Sequence, residues 1–315
     1  MTTLKPDRAA LAARLAVADA SFGQTIAPAA RDYVFVLDDP ARGRIVGIAA
    51  IKAAVGLDEP FYNFRLGARV HTAPSVDVSV RHDVLYLSHD LTGCAELCSL
   101  FLHPDYRSGS NGRLLSKSRC LFIARFPHLF TAGVFAEMRG FQDAHGVSPF
   151  WESVGRRFFS MDFARADDLC QPGGKCYIAD LMPRYPIYTC LLTDAARAAI
   201  GQTHVATAPA RRMLEEEGLR AGAYIDIFDG GPVLQAEVGA LRAVTGSVPA
   251  LVSDTKNNGG ALPGAAALVC NGDLADFRTT VTACDPANGA VYLTVQQQNA
   301  LQCSAGCTTR VLSLA

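Results

Sequence analysis

The 315-residue chain has no run of about 18 uncharged apolar residues, which argues against a membrane-spanning helix. It has no charge surplus either. Lys plus Arg number 29 and Asp plus Glu 30, a formal net charge of −1, which argues against a strongly basic nucleic-acid binder. The opening segment, MTTLKPDRAALAARLAVADASF, carries Asp7, Arg8, Arg14 and Asp19 and lacks the apolar stretch of a secretion signal. Ten cysteines are present, yet no C-x-x-C occurs. The nearest pairs, Cys94/Cys98 and Cys303/Cys307, have no histidine close by, so no metal site is expected. Most cysteines lie in apolar runs such as CLFIA and ALVC and read as buried, reduced thiols of a cytoplasmic protein. Internal repeats and low-complexity tracts are absent.

What is present suits a sizeable core: half the residues are hydrophobic and 19% are charged. Apolar spacing at Leu11, Leu15 and Ala18 predicts a helix over 7–20. YVFVLD (33–38) and RIVGIAAI (44–51), joined by DPARG, predict a hairpin. The stretch through 84 reads as mostly irregular. LYLSHD (85–90), ELCSLFL (96–102) and GVFAEM (133–138) read as strands, with a helix at about 113–126 between the last two. Helices are expected at 148–159, FARADDLC, 193–201 and 207–218, a strand at CYIADLM (176–182), and a strand and turn at AYIDIFDGG (223–231). Composition turns rich in Gly, Pro, Asn and Ser over 246–264, which reads as a linker. A small all-β unit with a short QQQNALQ helix then fills 265–315, leaving 1–245 as the main domain.

The segment with most chemistry is LCSLFLHPDYRSGSNGRLLSKSR (97–119), a strand, a glycine-containing loop and a helix. Unpaired N–H groups at a helix start lie at the positive end of its dipole. Small residues at Ser108, Gly109, Ser110 and Gly112 let an anion approach that backbone, and Arg107 adds a fixed charge. A pyrophosphate is one natural occupant; an ordinary strand–helix turn is the other reading. The chain has no G-x-x-x-x-G-K-[ST], and this loop has no G-x-G-x-x-G, so neither a P-loop nucleotidase nor a dinucleotide fold is indicated.

Arg107-x-x-Ser110-x-Gly112 resembles the acyl-CoA loop of the GNAT acyltransferases. The phrases FVLDDPARGRIVGIAAI, AVGLDEPFYNFRLG, AEMRG, SPFWESVGRRFFSMDF, IGQTHVATAPA and YIDIFDGGP narrow this to a resemblance to the arginine N-succinyltransferase family, from about residue 2 to the C-terminus. The resemblance implies an α+β, GNAT-like fold with a small C-terminal barrel-like β appendage. It implies succinyl transfer from succinyl-CoA to the α-amine of L-arginine, giving N2-succinylarginine and CoA at the entry to arginine catabolism. Succinyl-CoA is then a co-substrate and no cofactor is permanently bound. Leu100 matches a succinyl-CoA contact, Arg107, Ser108, Gly109, Ser110, Asn111 and Gly112 match the acyl-CoA loop, and His204 matches the proton donor. Two departures stand out: Ser110 replaces a usual glycine, and the chain starts after the family's opening strand and the start of its first helix.

Elementary chemistry asks for the same groups. An amine attacking a thioester needs donors for the oxyanion and a proton for the departing sulfur, work that a histidine such as His204 performs near neutrality. His103, beside the loop, is the reserve candidate. A succinyl carboxylate calls for Arg or Lys, and a guanidinium for Asp or Glu. Glu137 and Arg139, two apart on one strand, face one side of the sheet and are substrate-binding candidates, although a structural ion pair explains them equally. Asn63, Arg65, Asp90 and Glu96 are weaker ones. No Cys or Ser sits in a nucleophile elbow, which favours direct attack without an acyl-enzyme. Alternatives are a non-catalytic partner subunit, an amine such as ornithine, and assembly with itself or a related chain.

Overall fold

The computed structural model describes residues 7–169, 176–254, 264–284 and 289–314. The chain opens with α1 (Arg8–Phe22), capped by the Asp7 carboxylate, which accepts from Ala9 N and Ala10 N. Strands β1 (Asp32–Asp39), β2 (Arg44–Lys52), β3 (Asn63–Ala73), β4 (Val78–Ser88) and β5 (Ala95–Leu102) follow. Then come α2 (Asn111–Arg125), β6 (Gly133–Glu137), α3 (Pro149–Ser153), α4 (Gly155–Phe159), α5 (Phe163–Leu169), α6 (Cys176–Leu181) and β7 (Ile187–Tyr188). Next are α7 (Asp194–Ala199), α8 (Ala208–Glu216), β8 (Arg220–Ile225), β9 (Pro232–Glu237) and α9 (Arg242–Gly246). The chain closes with β10 (Val248–Asp254), β11 (Ala265–Cys270), β12 (Thr279–Cys284), β13 (Ala290–Leu293), α10 (Val295–Leu301) and β14 (Thr308–Ser313).

Nine strands form one mixed sheet in the order β1-β2-β5-β6-β9-β8-β3-β4-β7. Only β5–β6 is parallel within it, and that pair is short: Ala95 meets Val134 and Glu96 meets Phe135. Beyond that row β5 stays with β2 as far as Leu102, while β6 stays with β9. The two strands therefore part company, and the sheet opens between residues 97–102 and the end of β6.

Below it lies α2, almost wholly buried. Phe122 stacks edge-on against Phe22, Phe35 and Phe277 and tilts against Tyr33 and Phe126. A second core on the other side gathers Trp151, Phe150, Phe64, Leu85 and Ile225. The C-terminal strands make a five-stranded sheet, β12-β11-β14-β10-β13. One of its faces, with Leu268, Cys270 and Leu312, joins the α2 core.

Several sequence expectations need correction. The region before 84 is no irregular stretch but a long β3–β4 ribbon paired from Asn63–Ser88 to Ala73–Val78. Apolar residues recur at every second position, Phe64, Leu66, Ala68 and Val70 on β3 and Val78 and Val80 on β4, but the outer half is exposed on both faces and polar and charged neighbours obscure the pattern. CYIADLM is helix α6, with Ile178 and Met182 buried four residues apart, where a strand was expected. The helix expected over 148–159 splits at Val154, where φ −115° and ψ −74° break the helical run, and Gly155 leaves room for the Trp151 ring, which a Cβ there would meet at 2.1 Å. The segment read as linker, 246–264, contains β10, which pairs with β13 and β14; Pro249 and the flanking glycines disguised it. Residues 255–263 of that segment lie outside the described residues.

Candidate active site

The loop after β5 is open. Arg107, Ser108 and Gly109 are exposed, and a Cβ placed on Gly109 or Gly112 would meet nothing within 4 Å. Gly109 has φ +58°, a left-handed turn that glycine adopts without strain. Ser110 is the N-cap of α2, yet its side chain makes no capping bond. Its carbonyl accepts from Leu114 N at 2.8 Å, while Gly112 N and Arg113 N find no acceptor in the preceding turn. Asn111 Nδ2 ties the loop to Tyr106 O at 3.0 Å, and Arg107 Nε donates to Leu102 O at 3.0 Å. Beside it, Arg42 and Arg44 both donate to Tyr106 Oη, which donates to Asp39 at 2.6 Å.

Along the β5 edge of the opening the register against β2 slips between Ile48 and Ala50, and Ser99 has φ +54°. This is a bulge, and it bends the strand at half-buried Leu100. Cys98 lies just before it. Burial and neighbouring Glu96 push its thiol up to about 11, so it is protonated and poorly nucleophilic near neutral pH. Directly beneath, Arg119 of α2 donates from Nη1 to Cys98 O at 3.2 Å. No sequence signal singled out Arg119; a charge inside an otherwise apolar helix stripe was the available clue.

His204 stands at the β6 edge. Its N–H donates to Arg139 O at 2.8 Å, and Thr203 bridges Gly140, so the histidine rides on the continuation of β6. Nδ1 accepts from Ala206 N at 3.1 Å. A main-chain N–H can only donate, so the neutral ring carries its proton on Nε2. Burial, then the Arg139 charge, lowers the imidazole below its ordinary pKa. The YIDIFDGGP phrase explains what holds this segment. Asp229 accepts from Gly140 N at 2.7 Å and Gly231 N at 2.9 Å, and Gly230 O accepts from Gly201 N at 2.8 Å. A Cβ on Gly140 would lie 2.4 Å from Asp229 O, so only glycine fits. Sequence reasoning could not see that this turn grips Gly140, because the two lie 89 residues apart.

Glu137 accepts from Asn63 Nδ2 at 2.7 Å, and Asn63 is 1% exposed. Arg139 donates to Gln142 Oε1. Glu96 pairs with Lys52 at 3.6 Å and, through Phe135, shares a sheet face with Glu137. Asp90 pairs with Arg65 at 3.6 Å and accepts from Tyr224 Oη at 3.0 Å, and Asp90 and Tyr224 line a cavity of about 360 Å³ with Phe135, Gln235 and Glu237. His103 caps a short turn through Asp105 N and lies on the loop side, away from β6. The structure thus sets Leu100 and the 107–112 loop on one edge of the opening, and Glu137, Arg139 and His204 on the other. Among the described residues no cluster of three or more His, Cys, Asp or Glu could hold a metal.

Residues 1–243 match a protein family described as arginine N-succinyltransferase beta subunit. The chain is 46% identical over 314 residues to proteins named arginine N-succinyltransferase from Escherichia coli and Salmonella schwarzengrund, covering 100% of this chain and 91% of each relative. It also matches a solved structure, arginine/ornithine succinyltransferase subunit AI from Pseudomonas aeruginosa. That match has a TM-score of 0.89 and 36% identity, and covers 100% of this chain and 91% of the other.

Proposed function

The chain belongs to the arginine N-succinyltransferase family, and from that premise we propose how its geometry moves a succinyl group from coenzyme A to the α-amine of L-arginine. It is an acyltransferase of arginine catabolism. The observation that carries the reading is the opening between β5 and β6 with a bare helix N-terminus at its mouth. A pyrophosphate fits the free N–H groups of Gly112 and Arg113, with Arg107 at the rim, and the pantetheine arm then lies along the unpaired edge of β5. The thioester carbonyl rests at Leu100, where the bulge turns the strand. The same opening supports a GNAT-like reading of the fold. A division into a main unit over 1–245 and a small β unit over 265–315 goes with it, β10 counting with the latter.

The amine nitrogen attacks the thioester carbon, and the N–C bond forms as the carbonyl electrons move to oxygen. When they return, the C–S bond breaks and sulfur leaves with the electron pair. His204 Nε2–H donates a hydrogen bond to the departing sulfur and steadies its charge. The proton that sulfur takes up is the one shed by the attacking nitrogen, so the ring stays neutral and the sum needs no outside acid. No acyl-enzyme is required, and the protonated state of Cys98 supports that. Glu137, braced by Asn63, is the acid for the substrate's cationic end, and Arg139 is the base for its carboxylate.

The reading takes succinyl-CoA as co-substrate with no resident cofactor, and the cytoplasm as location; no helix among the described residues is long and apolar enough to cross a membrane. Ornithine is a second acceptor to consider, because the Pseudomonas aeruginosa relative is described as an arginine/ornithine enzyme. The subunit wording of that relative keeps open assembly with a related chain. Thiol release by the purified chain with succinyl-CoA and L-arginine tests the proposal, with ornithine, D-arginine and acetyl-CoA as comparisons. Silence of the chain alone, with turnover only after a related subunit is added, would favour the partner-subunit reading.

A further inference from the structure

Arg119 is 1% exposed and has no acidic partner among the described residues. Its neighbour on α2, Lys117, is equally buried but pairs with Glu217 at 3.4 Å and Glu216 at 3.8 Å. Arg119 instead makes three neutral contacts: Nε to Ser116 O, Nη1 to Cys98 O and Nη2 to Ser116 Oγ, each at 3.2 Å. A guanidinium has five N–H groups, so one on each Nη is left over. A buried cation without a counter-charge is costly, and an anion that arrives to meet it relieves that cost.

The position selects the anion. Leu115 packs under β2 at Gly47, and Phe122 under β1 at Tyr33 and Phe35. Ser116 and Arg119 point from the next stripe of the helix, under β5 at Cys98. Cys98 is two residues past the last β5–β6 pair, at the apex of the opening. In the reading above, the pantetheine arm comes along β5 from the loop and the thioester sits at Leu100; an acyl chain that continues in the same direction reaches that apex. A four-carbon diacid reaches roughly 5 Å from the thioester carbonyl to its far carboxylate, given C–C bonds of about 1.5 Å.

We propose that Arg119 receives the free carboxylate of the succinyl group and so selects dicarboxylic over uncharged acyl thioesters. The inference rests on coenzyme binding in the β5–β6 opening. The leftover N–H on each Nη supplies a two-pronged donor, in a place shielded from water where such a pair is strongest.

The test compares succinyl-CoA with butyryl-CoA, which has the same chain length and no charge. In the full chain, Arg119→Gln lowers the succinyl-to-butyryl ratio of kcat/KM about 100-fold, the range for losing a charged hydrogen bond. Arg119→Lys, which keeps the charge, recovers part of the ratio. Calorimetry with CoA alone reads the coenzyme site independently. CoA uptake with an unchanged ratio in Arg119→Gln overturns the assignment of Arg119 only; absence of CoA uptake by the wild type overturns the coenzyme reading and the inference with it. If Arg119→Gln does not fold, the wild-type Arg119 Nε–H resonance decides, identified by its loss in Arg119→Lys. It shifts with succinyl-CoA beyond its shift with butyryl-CoA, and equal shifts overturn the proposal.

Discussion

At His204 the backbone sets the state of a side chain. Ala206 N–H occupies Nδ1, and burial with the Arg139 charge disfavours the imidazolium, so the ring is neutral with its proton on Nε2. His204→Gln is expected to lower kcat about 100-fold or more while CoA affinity holds, as read by steady-state kinetics and calorimetry. The wild-type rate should fall as pH drops through a value below the usual histidine range, because the imidazolium sets an Nδ1–H against Ala206 N–H; that limb should vanish in the variant. Ser110 offers a test in which stability and binding move in opposite directions. It caps α2 without a side-chain bond, so Ser110→Asp adds a capping acceptor, a gain of about 1 kcal/mol. The same carboxylate repels a diphosphate, so CoA affinity should drop about 10-fold or more while Tm rises. Calorimetry and thermal melts read the two effects separately.

The turn that follows β8 is a lock. Asp229 grips Gly140 and Gly231, and Asp226 Oδ1 accepts from Phe228 N at 2.7 Å and Asp229 N at 2.9 Å. Burial, reinforced by the Asp229 charge, pushes Asp226 up to about 7. The folded protein therefore holds a proton that the unfolded chain releases above an ordinary carboxyl pKa near 4. Stability is full below that value and declines as pH rises through about 7. Asp226→Asn mimics the protonated acid, so it should gain on the order of 2 kcal/mol at pH 8 and little at pH 4. Denaturant melts at the two pH values check this. Some elements were legible from local pattern alone: the 33–51 hairpin, α2, and the loop between β5 and α2. The β3–β4 ribbon was not: its alternating Phe64, Leu66, Ala68 and Val70 and Val78 and Val80 are diluted by polar and charged neighbours, and its outer half packs on no core. The Asp229–Gly140 contact and buried Arg119 were not either, since each depends on residues brought together only by tertiary packing.

Across the whole molecule, α2 lies between two sheets. Phe277, from the C-terminal unit, meets Phe122 at 4.9 Å and also touches Phe35 and Phe126. The core is therefore shared, and calorimetry should record one cooperative transition rather than two. Phe277→Ala should lower that transition by about 2 kcal/mol without splitting it; two separate peaks would show independent units. The parting of β5 from β6 has a consequence at this scale too. The three strands β1-β2-β5 join the other six of the main sheet at a seam only two rungs long. A coenzyme arm seated there supplies rungs the polypeptide leaves out, so occupancy and durability rise together. The substrate then serves as a stitch, and enzyme starved of it is the form proteases would open first.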